Sequence, residues 1–202
     1  ADLARRNLFV LPLSETPVGD TAVAWYRYHH LFAALLLGHL RQHQPDVVPR
    51  LHQRAARWFA ARGDVETALD HALLAEDFTL AARLLEENAG DFLMQGRARL
   101  LETWLQRLPD AQLTTMPHAN IAFARALLLR GRYAAVQPYL ARAAASDLAA
   151  ADSAFQGQIQ VLRATLASIQ GDAAAALNFA QQALAVIPDD DLLSRAMAHF
   201  AL

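Results

Sequence analysis

Cysteine and lysine are both missing from these 202 residues. Without cysteine there is no disulfide, no thiolate nucleophile and no cysteine-ligated zinc. Without lysine there is no Schiff base and no ammonium group to grip the phosphates of a P-loop. All 18 basic residues are therefore arginine. Alongside so much alanine and leucine, that replacement reads as coding bias rather than chemistry. Long apolar runs are absent as well: nothing approaches the roughly eighteen residues that span a bilayer, and no charged, apolar, small-residue leader opens the chain. Neither charge sign dominates. A net charge of −2 leaves no electrostatic footprint for nucleic acid. No Gly-x-Ser-x-Gly elbow, His-Glu-x-x-His pair or dinucleotide glycine fingerprint occurs, so the expected activity is binding and not catalysis. A cytoplasmic location with no membrane partner fits these absences. Ala1 lies in an element already under way and Ala198–Leu202 stops in mid-pattern; the expectation is a piece of a longer protein.

What is present is a core-forming surplus, 54% hydrophobic residues, and a repeat. Gly63, Gly96, Gly131 and Gly171 follow one another at intervals of 33, 35 and 40 residues. After Gly63 come Ala68, Ala72 and Ala75; after Gly131, at the same offsets, Val136, Leu140 and Ala143; after Gly171, Ala176, Ala180 and Ala183. Ala56, Ala124 and Ala164 precede three of the glycines by one constant interval. Small side chains at helical spacing let two helix backbones approach, and a glycine can take the left-handed conformation that ends a helix. A hairpin of this kind cannot bury its own apolar stripe and stacks on the next. Gly96 keeps the period, but Leu101 and Trp104 stand where small residues are expected. The pattern resembles the tetratricopeptide repeat, with the Gly171 unit the nearest match.

The beginning of the chain reads differently. Leu8–Leu13 is an apolar run, Ser14–Asp20 is rich in turn formers and Val23–Tyr28 is bulky and aromatic, which predicts a β-hairpin with a long loop. Leu31, Leu35, Leu36 and Leu40 then recur at helical spacing, predicting a helix over 29–43 that stops before Pro45. From Asp46 every segment reads as helix, and Pro138 predicts a kink or a late start in its run. The fold class expected is all-α: a tetratricopeptide-like α-solenoid of helical hairpins, preceded by a partial winged helix with a small β-hairpin. The expected divisions are 1–44, the C-terminal part of a winged-helix module; 45–90, a helical arm or linking repeat; and 91–202, the sensor repeats.

Two strings carry a more specific resemblance. The first is Asn7-Leu8-Phe9-Val10-Leu11-Pro12-Leu13 with Trp25-Tyr26-Arg27-Tyr28-His29-His30-Leu31-Phe32. The second is Leu51-His52-Gln53-Arg54-Ala55-Ala56-Arg57-Trp58-Phe59, with Ala68-Leu69-Asp70-His71-Ala72-Leu73 and Asp77-Phe78 after Gly63. Together they resemble the junction of winged helix and helical-repeat sensor in the large LuxR-type transcriptional activators of the MalT class, which are signal-transduction ATPases with numerous domains. The resemblance is strongest over residues 1 to 108. It implies an ATP/ADP-binding module upstream, self-association in the full-length protein, a sensor for a small-molecule inducer or regulatory protein, and DNA binding through a C-terminal domain absent here. No cofactor is expected in this segment itself.

On that resemblance His29, opening its helix, is the nucleotide-sensing residue of the full-length protein; a helix N-terminus favours an anion and an imidazole can donate to it. The repeat phase places His118, Ile121, Arg125 and Leu128, then Gln158, Val161, Thr165 and Ser168, along a groove. His118, Arg125, Gln158, Thr165 and Ser168 are its candidate effector or partner contacts. A solvated face is the plainer alternative. His39 and His43 have the spacing of two metal ligands, but no third ligand stands nearby and no metal is expected. Arg41, Arg50, Arg54, Arg57 and Arg62 make a basic arm whose plainer reading is solvated or internally paired arginine. The competing function is a constitutive protein-interaction scaffold.

Overall fold

The computed structural model describes residues 9–18, 21–188, 195–196 and 198–199, with side chains left out at 12–18 and 21–25. It is mainly helical with one small antiparallel sheet, and the chain forms two compact units, residues 1–52 and 53–202.

The first unit opens with strands β1 (Val10–Val18) and β2 (Thr21–Tyr28), paired from Val10↔Tyr28 to Val18↔Thr21. The hairpin departs from expectation. Ser14–Val18 is strand, not loop. Its turn formers are accommodated because a two-stranded sheet consists only of edges, where Pro17 need not donate to a ladder. Between Pro12 and Glu15 the register slips by one residue, a bulge. The expected strand start at Leu8 lies outside the described residues. Helix α1 (His30–His43) follows and ends where Gln44 precedes Pro45. Rings of Phe9 and Phe32 stack at 5.1 Å and Tyr28 meets Phe32 edge-on at 5.5 Å, tying hairpin to helix. None of α1 is fully buried.

Among the described residues four helical hairpins run from α2 onward. They are α2 (Val47–Ala60) with α3 (Val65–Leu74), α4 (Phe78–Met94) with α5 (Ala98–Leu105), α7 (Pro117–Leu129) with α8 (Gln137–Ala144), and α10 (Ser153–Ile169) with α11 (Ala173–Val186). Short helices α6 (Asp110–Leu113) and α9 (Asp147–Ala151) fill the later connections. Pro138 sits in the first turn of α8, after a 3-10 turn over Tyr133–Ala135, so that helix starts late and is not kinked.

Each hairpin turns at one of the four glycines, all with positive φ between 70° and 78°. Two backbone bonds close every turn: Gly63 donates to the Ala60 carbonyl (3.1 Å) and Asp64 to that of Phe59 (3.1 Å), with Gly96, Gly131 and Gly171 repeating the pattern. This is the left-handed C-cap that satisfies two orphan carbonyls at once. Gly96 is a full member. After it Leu101, Leu105 and Leu108 are buried at the offsets where the other units, Leu140 apart, place smaller residues; Trp104 stands one position before the second offset, and Ala89 is buried like Ala56, Ala124 and Ala164. The phase is preserved while the side chains are enlarged.

These residues join one core that runs from Ala56 to Leu166 and is anchored by Trp104 and Phe123. Trp104 Nε1 donates to Asp70 at 2.8 Å, and its ring stands edge-on to Phe92 at 5.0 Å. A smaller cluster of Val161, Ala183, Ile187 and Ala198 closes the last hairpin. Ion pairs link successive hairpins as well. Arg97 pairs with Glu66, Arg142 with Asp110, and the buried carboxylate of Glu102 accepts from both Arg130 and Arg132.

Candidate functional site

The first candidate, His29, stands at the N-cap of α1 in extended backbone, φ −53° and ψ 137°. Its N–H donates to the Phe9 carbonyl at 2.6 Å, which fixes the start of the helix against the beginning of β1. The imidazole makes no capping bond and packs on the His30 ring at 4.3 Å. An imidazole held at the end of a 14-residue helix is placed to meet an anion, because the unpaired N–H groups there carry partial positive charge.

The second candidate lies on α4, α7 and α10, the leading helices of three successive hairpins. Helix α7 packs directly against both of the others. Position Met116, the N-cap of α7, offers no side-chain acceptor. Glu86 of α4 supplies the cap instead: Oε1 accepts from the His118 N–H and Oε2 from the Ala119 N–H, each at 2.9 Å. The same Oε1 meets His118 Nδ1 at 2.8 Å. A carboxylate at that end also complements the helix dipole. The exposed His118 ring lies edge-on to Phe155 of α10 at 5.2 Å, so side chains from three hairpins converge on one residue.

Farther along, Arg125 Nη2 donates to Gln158 Oε1 at 3.3 Å. Thr165 Oγ1 is turned back onto the Val161 carbonyl at 2.9 Å and Ser168 is exposed. Of the apolar rungs, Ile121 and Val161 are buried and Leu128 is half-buried against the core, so they pack the helices together instead of lining an open surface. The fold thus joins Arg125 to Gln158, and His118 to Glu86 and Phe155. Glu86 was missed from sequence because its partners lie 32 and 33 residues away and nothing local marks it. A cleft of about 310 Å³ opens beside it, lined in part by Arg83, Glu87, Gln112 and Met116.

His39 and His43 stack at 4.0 Å, and His43 Nδ1 lies 2.9 Å from the His39 carbonyl oxygen. Among the described residues no three His, Asp or Glu side chains gather as metal ligands. In the basic arm, Arg57 reaches Asp77 at 3.9 Å, while Arg62 lies 3.6 Å over the Trp58 ring and also donates to the Trp58 carbonyl. No helix among the described residues is long and apolar enough to cross a membrane.

Residues 1–48 match the family model described as the MalT winged helix domain. The HTH-type transcriptional regulator MalT of Vibrio cholerae is 31% identical over 199 residues, 97% of this chain and 21% of that protein. The chain is MalT-like. MalT of Cronobacter sakazakii is 28% identical over 98% of the chain and 21% of its own length. The serine/threonine-protein kinase PknK of Mycobacterium tuberculosis is 31% identical over 96% of the chain, 16% of that kinase. The MalT-like chain therefore spans about a fifth of the length of the curated regulators it matches. No solved structure matches it.

Proposed function

We infer that the MalT-like chain is a segment of a transcriptional regulator in which tetratricopeptide-like hairpins sense an effector and a winged-helix end relays the event to a nucleotide-binding module. The observation that carries this reading is continuity. Similarity to MalT covers both the winged-helix match and the glycine-phased hairpins, in one stretch of the same proteins. His29 is the nucleotide-sensing residue in the full-length protein. His118, Arg125, Gln158, Thr165 and Ser168 form the effector face. The protein is cytoplasmic; ATP or ADP, self-association and DNA contacts belong to parts outside this chain, which itself is a binding segment and not an enzyme.

Mechanistically, an inducer that binds one arrangement of the hairpins better than another shifts the population toward it. Coupling is reciprocal, so a nucleotide that tightens inducer binding is itself tightened by inducer. In the complete regulator, inducer affinity is measured by titration calorimetry with ADP and then with ATP, in wild type and in His29→Ala. Different affinities that converge in the variant are expected; equal wild-type affinities overturn the coupling.

A second reading is favoured by one specific feature. The polar groups of the candidate face bond to one another, as Arg125 does to Gln158 and His118 to Glu86, which suits a flat protein contact better than an enclosed ligand. Similarity to part of a kinase as well as to regulators fits a portable interaction segment. Thermal-shift screening of the chain against sugars, metabolites and peptides separates the two, because a small molecule that binds the folded state raises its melting point.

A further inference from the structure

The residue two before each hairpin glycine is apolar and exposed: Ala61, Met94, Leu129 and Ile169. Met94 and Leu129, at 81% and 76% exposure, are the most exposed large apolar side chains described in residues 53–202. One such residue per repeat is more than a scatter of single exposed leucines, which alone needs no explanation. Tyr133, 38% exposed, adds an aromatic edge beside Gly131.

Charge at the two central turns is one-sided, whereas Asp64 follows Gly63 and Asp172 follows Gly171. The two central turns, 94–99 and 129–135, contain Arg97, Arg99, Arg130 and Arg132 and no acidic residue. Two carboxylates from neighbouring helices reach them: Glu66 pairs with Arg97, and Glu102 is shared by Arg130 and Arg132. Arg99 is exposed and has no carboxylate partner among the described residues. Those ion pairs also tie each central turn to the helix that follows the preceding turn, α3 for Arg97 and α5 for Arg130 and Arg132. Counted with Glu66 and Glu102, the two central turns keep two positive charges in excess, spaced among exposed apolar side chains.

We propose that this edge of hairpin turns docks an acidic, apolar-bearing extended segment of a partner protein. Carboxylates of the segment pair with Arg99 and with the arginines that share Glu102, while its apolar side chains rest on Met94, Leu129 and Tyr133. The repeat sets its form. Helices in direct contact lie about 8–10 Å apart, and a polyproline-type strand presents one face about every 9 Å, or every third residue. A segment with two acidic residues and one apolar residue per three matches successive turns. Nucleic acid fits less well, because the most exposed side chains of the edge, Met94 and Leu129, are aliphatic and Tyr133 alone offers a ring on which a base could stack. Met94 and Leu129 are the last residues of α4 and α7, so this surface lies at the C-terminal ends of helices whose earlier turns carry the effector face.

The test uses fluorescence anisotropy with the whole 202-residue chain and a labelled peptide of about 12 residues that repeats glutamate, glutamate and leucine. Comparison probes are the same peptide with glutamine for glutamate, and a duplex DNA of similar charge. The acidic peptide is expected to bind about tenfold tighter than the glutamine peptide, to weaken with added salt, and to lose about tenfold in Arg99→Glu and in Leu129→Asp. Leu74→Asp, at the end of α3 away from the glycine turns, is expected to leave binding unchanged. All three variants are surface changes, and an unchanged circular dichroism melt verifies folding. Equal binding of both peptides, binding of the DNA alone, no binding of the acidic peptide, or indifference to Arg99→Glu and Leu129→Asp in the folded protein overturns the proposal.

Discussion

Replacing Glu76 with glycine is expected to stabilise the protein, although it removes a whole side chain. Glu76 ends α3 with φ +54° and makes the same two closing bonds as the hairpin glycines: its N–H reaches the Leu73 carbonyl at 3.4 Å, and the Asp77 N–H reaches that of Ala72 at 2.9 Å. It is therefore a fifth turn of the same kind, built on a residue with a Cβ. A left-handed conformation costs a non-glycine residue about 1–2 kcal/mol. Glycine relieves that cost but loses more conformational freedom on folding, about 0.5–1 kcal/mol. Between the mid-points of those two ranges the net gain for Glu76→Gly is about 0.75 kcal/mol, since the exposed carboxylate has no ion-pair partner among the described residues. The mirror change is Gly171→Ala, where φ is +78° and an added Cβ meets nothing within 4 Å. With no clash to confuse the result, it is expected to cost about 1 kcal/mol from backbone conformation alone. Urea unfolding followed by circular dichroism gives both values as shifts of the midpoint at constant slope. In a thermal scan each kilocalorie corresponds to about 2–4 °C for a chain of this size. A lower midpoint for Glu76→Gly, or a higher one for Gly171→Ala, refutes the argument that backbone handedness governs these turns.

Three other substitutions probe packing, the first within the last hairpin and the other two between hairpins. Gly157→Ala places a Cβ 2.5 Å from Ile187 Cγ1 and is expected to cost about 1–3 kcal/mol; pairing it with Ile187→Ala, which removes Cγ1, should give a combined loss smaller than the sum of the two single losses in a double-mutant cycle. Glu86→Ala removes the carboxylate that holds the Ala119 and His118 N–H groups, and a loss of about 1–2 kcal/mol is expected in urea unfolding. Glu102→Ala breaks the pairing with Arg130 and Arg132. Because both arginines are partly exposed and can return to water, the expected loss is about 1–2 kcal/mol, short of the cost of stranding a buried charge. A midpoint unchanged from wild type in either glutamate variant counts against the corresponding contact.

Much of the helical architecture was legible because its determinants are local. A glycine two or three residues past an apolar stripe marks a left-handed helix end wherever it stands, so the four turns follow from spacing alone. Burial at a constant offset follows too, which is why Gly96 belongs to the series although Leu101 replaces a small residue. Ala89 carried the same signal and needed only to be counted. The β-hairpin was less legible. Turn-forming residues between 14 and 18 read as loop, yet strand pairing overrode their preference because cross-strand partners were available from 21 to 24.

Of the candidate site, the sequence placed His118, Arg125, Gln158, Thr165 and Ser168 on the leading helices of neighbouring hairpins, but left their mutual contacts open. The deciding contacts join residues 28 to 34 positions apart: Glu102 with Arg130, Glu86 with His118, Arg125 with Gln158, Asp70 with Trp104. Such separations equal about one repeat. Local periodicity fixes which face each helix buries, since side-chain direction along a helix repeats every 3.6 residues. It says nothing about how far one hairpin slides or rotates on the next. That offset comes from the packing of unequal side chains in the shared core, and it alone brings a carboxylate from one repeat to the backbone or arginines of the following one.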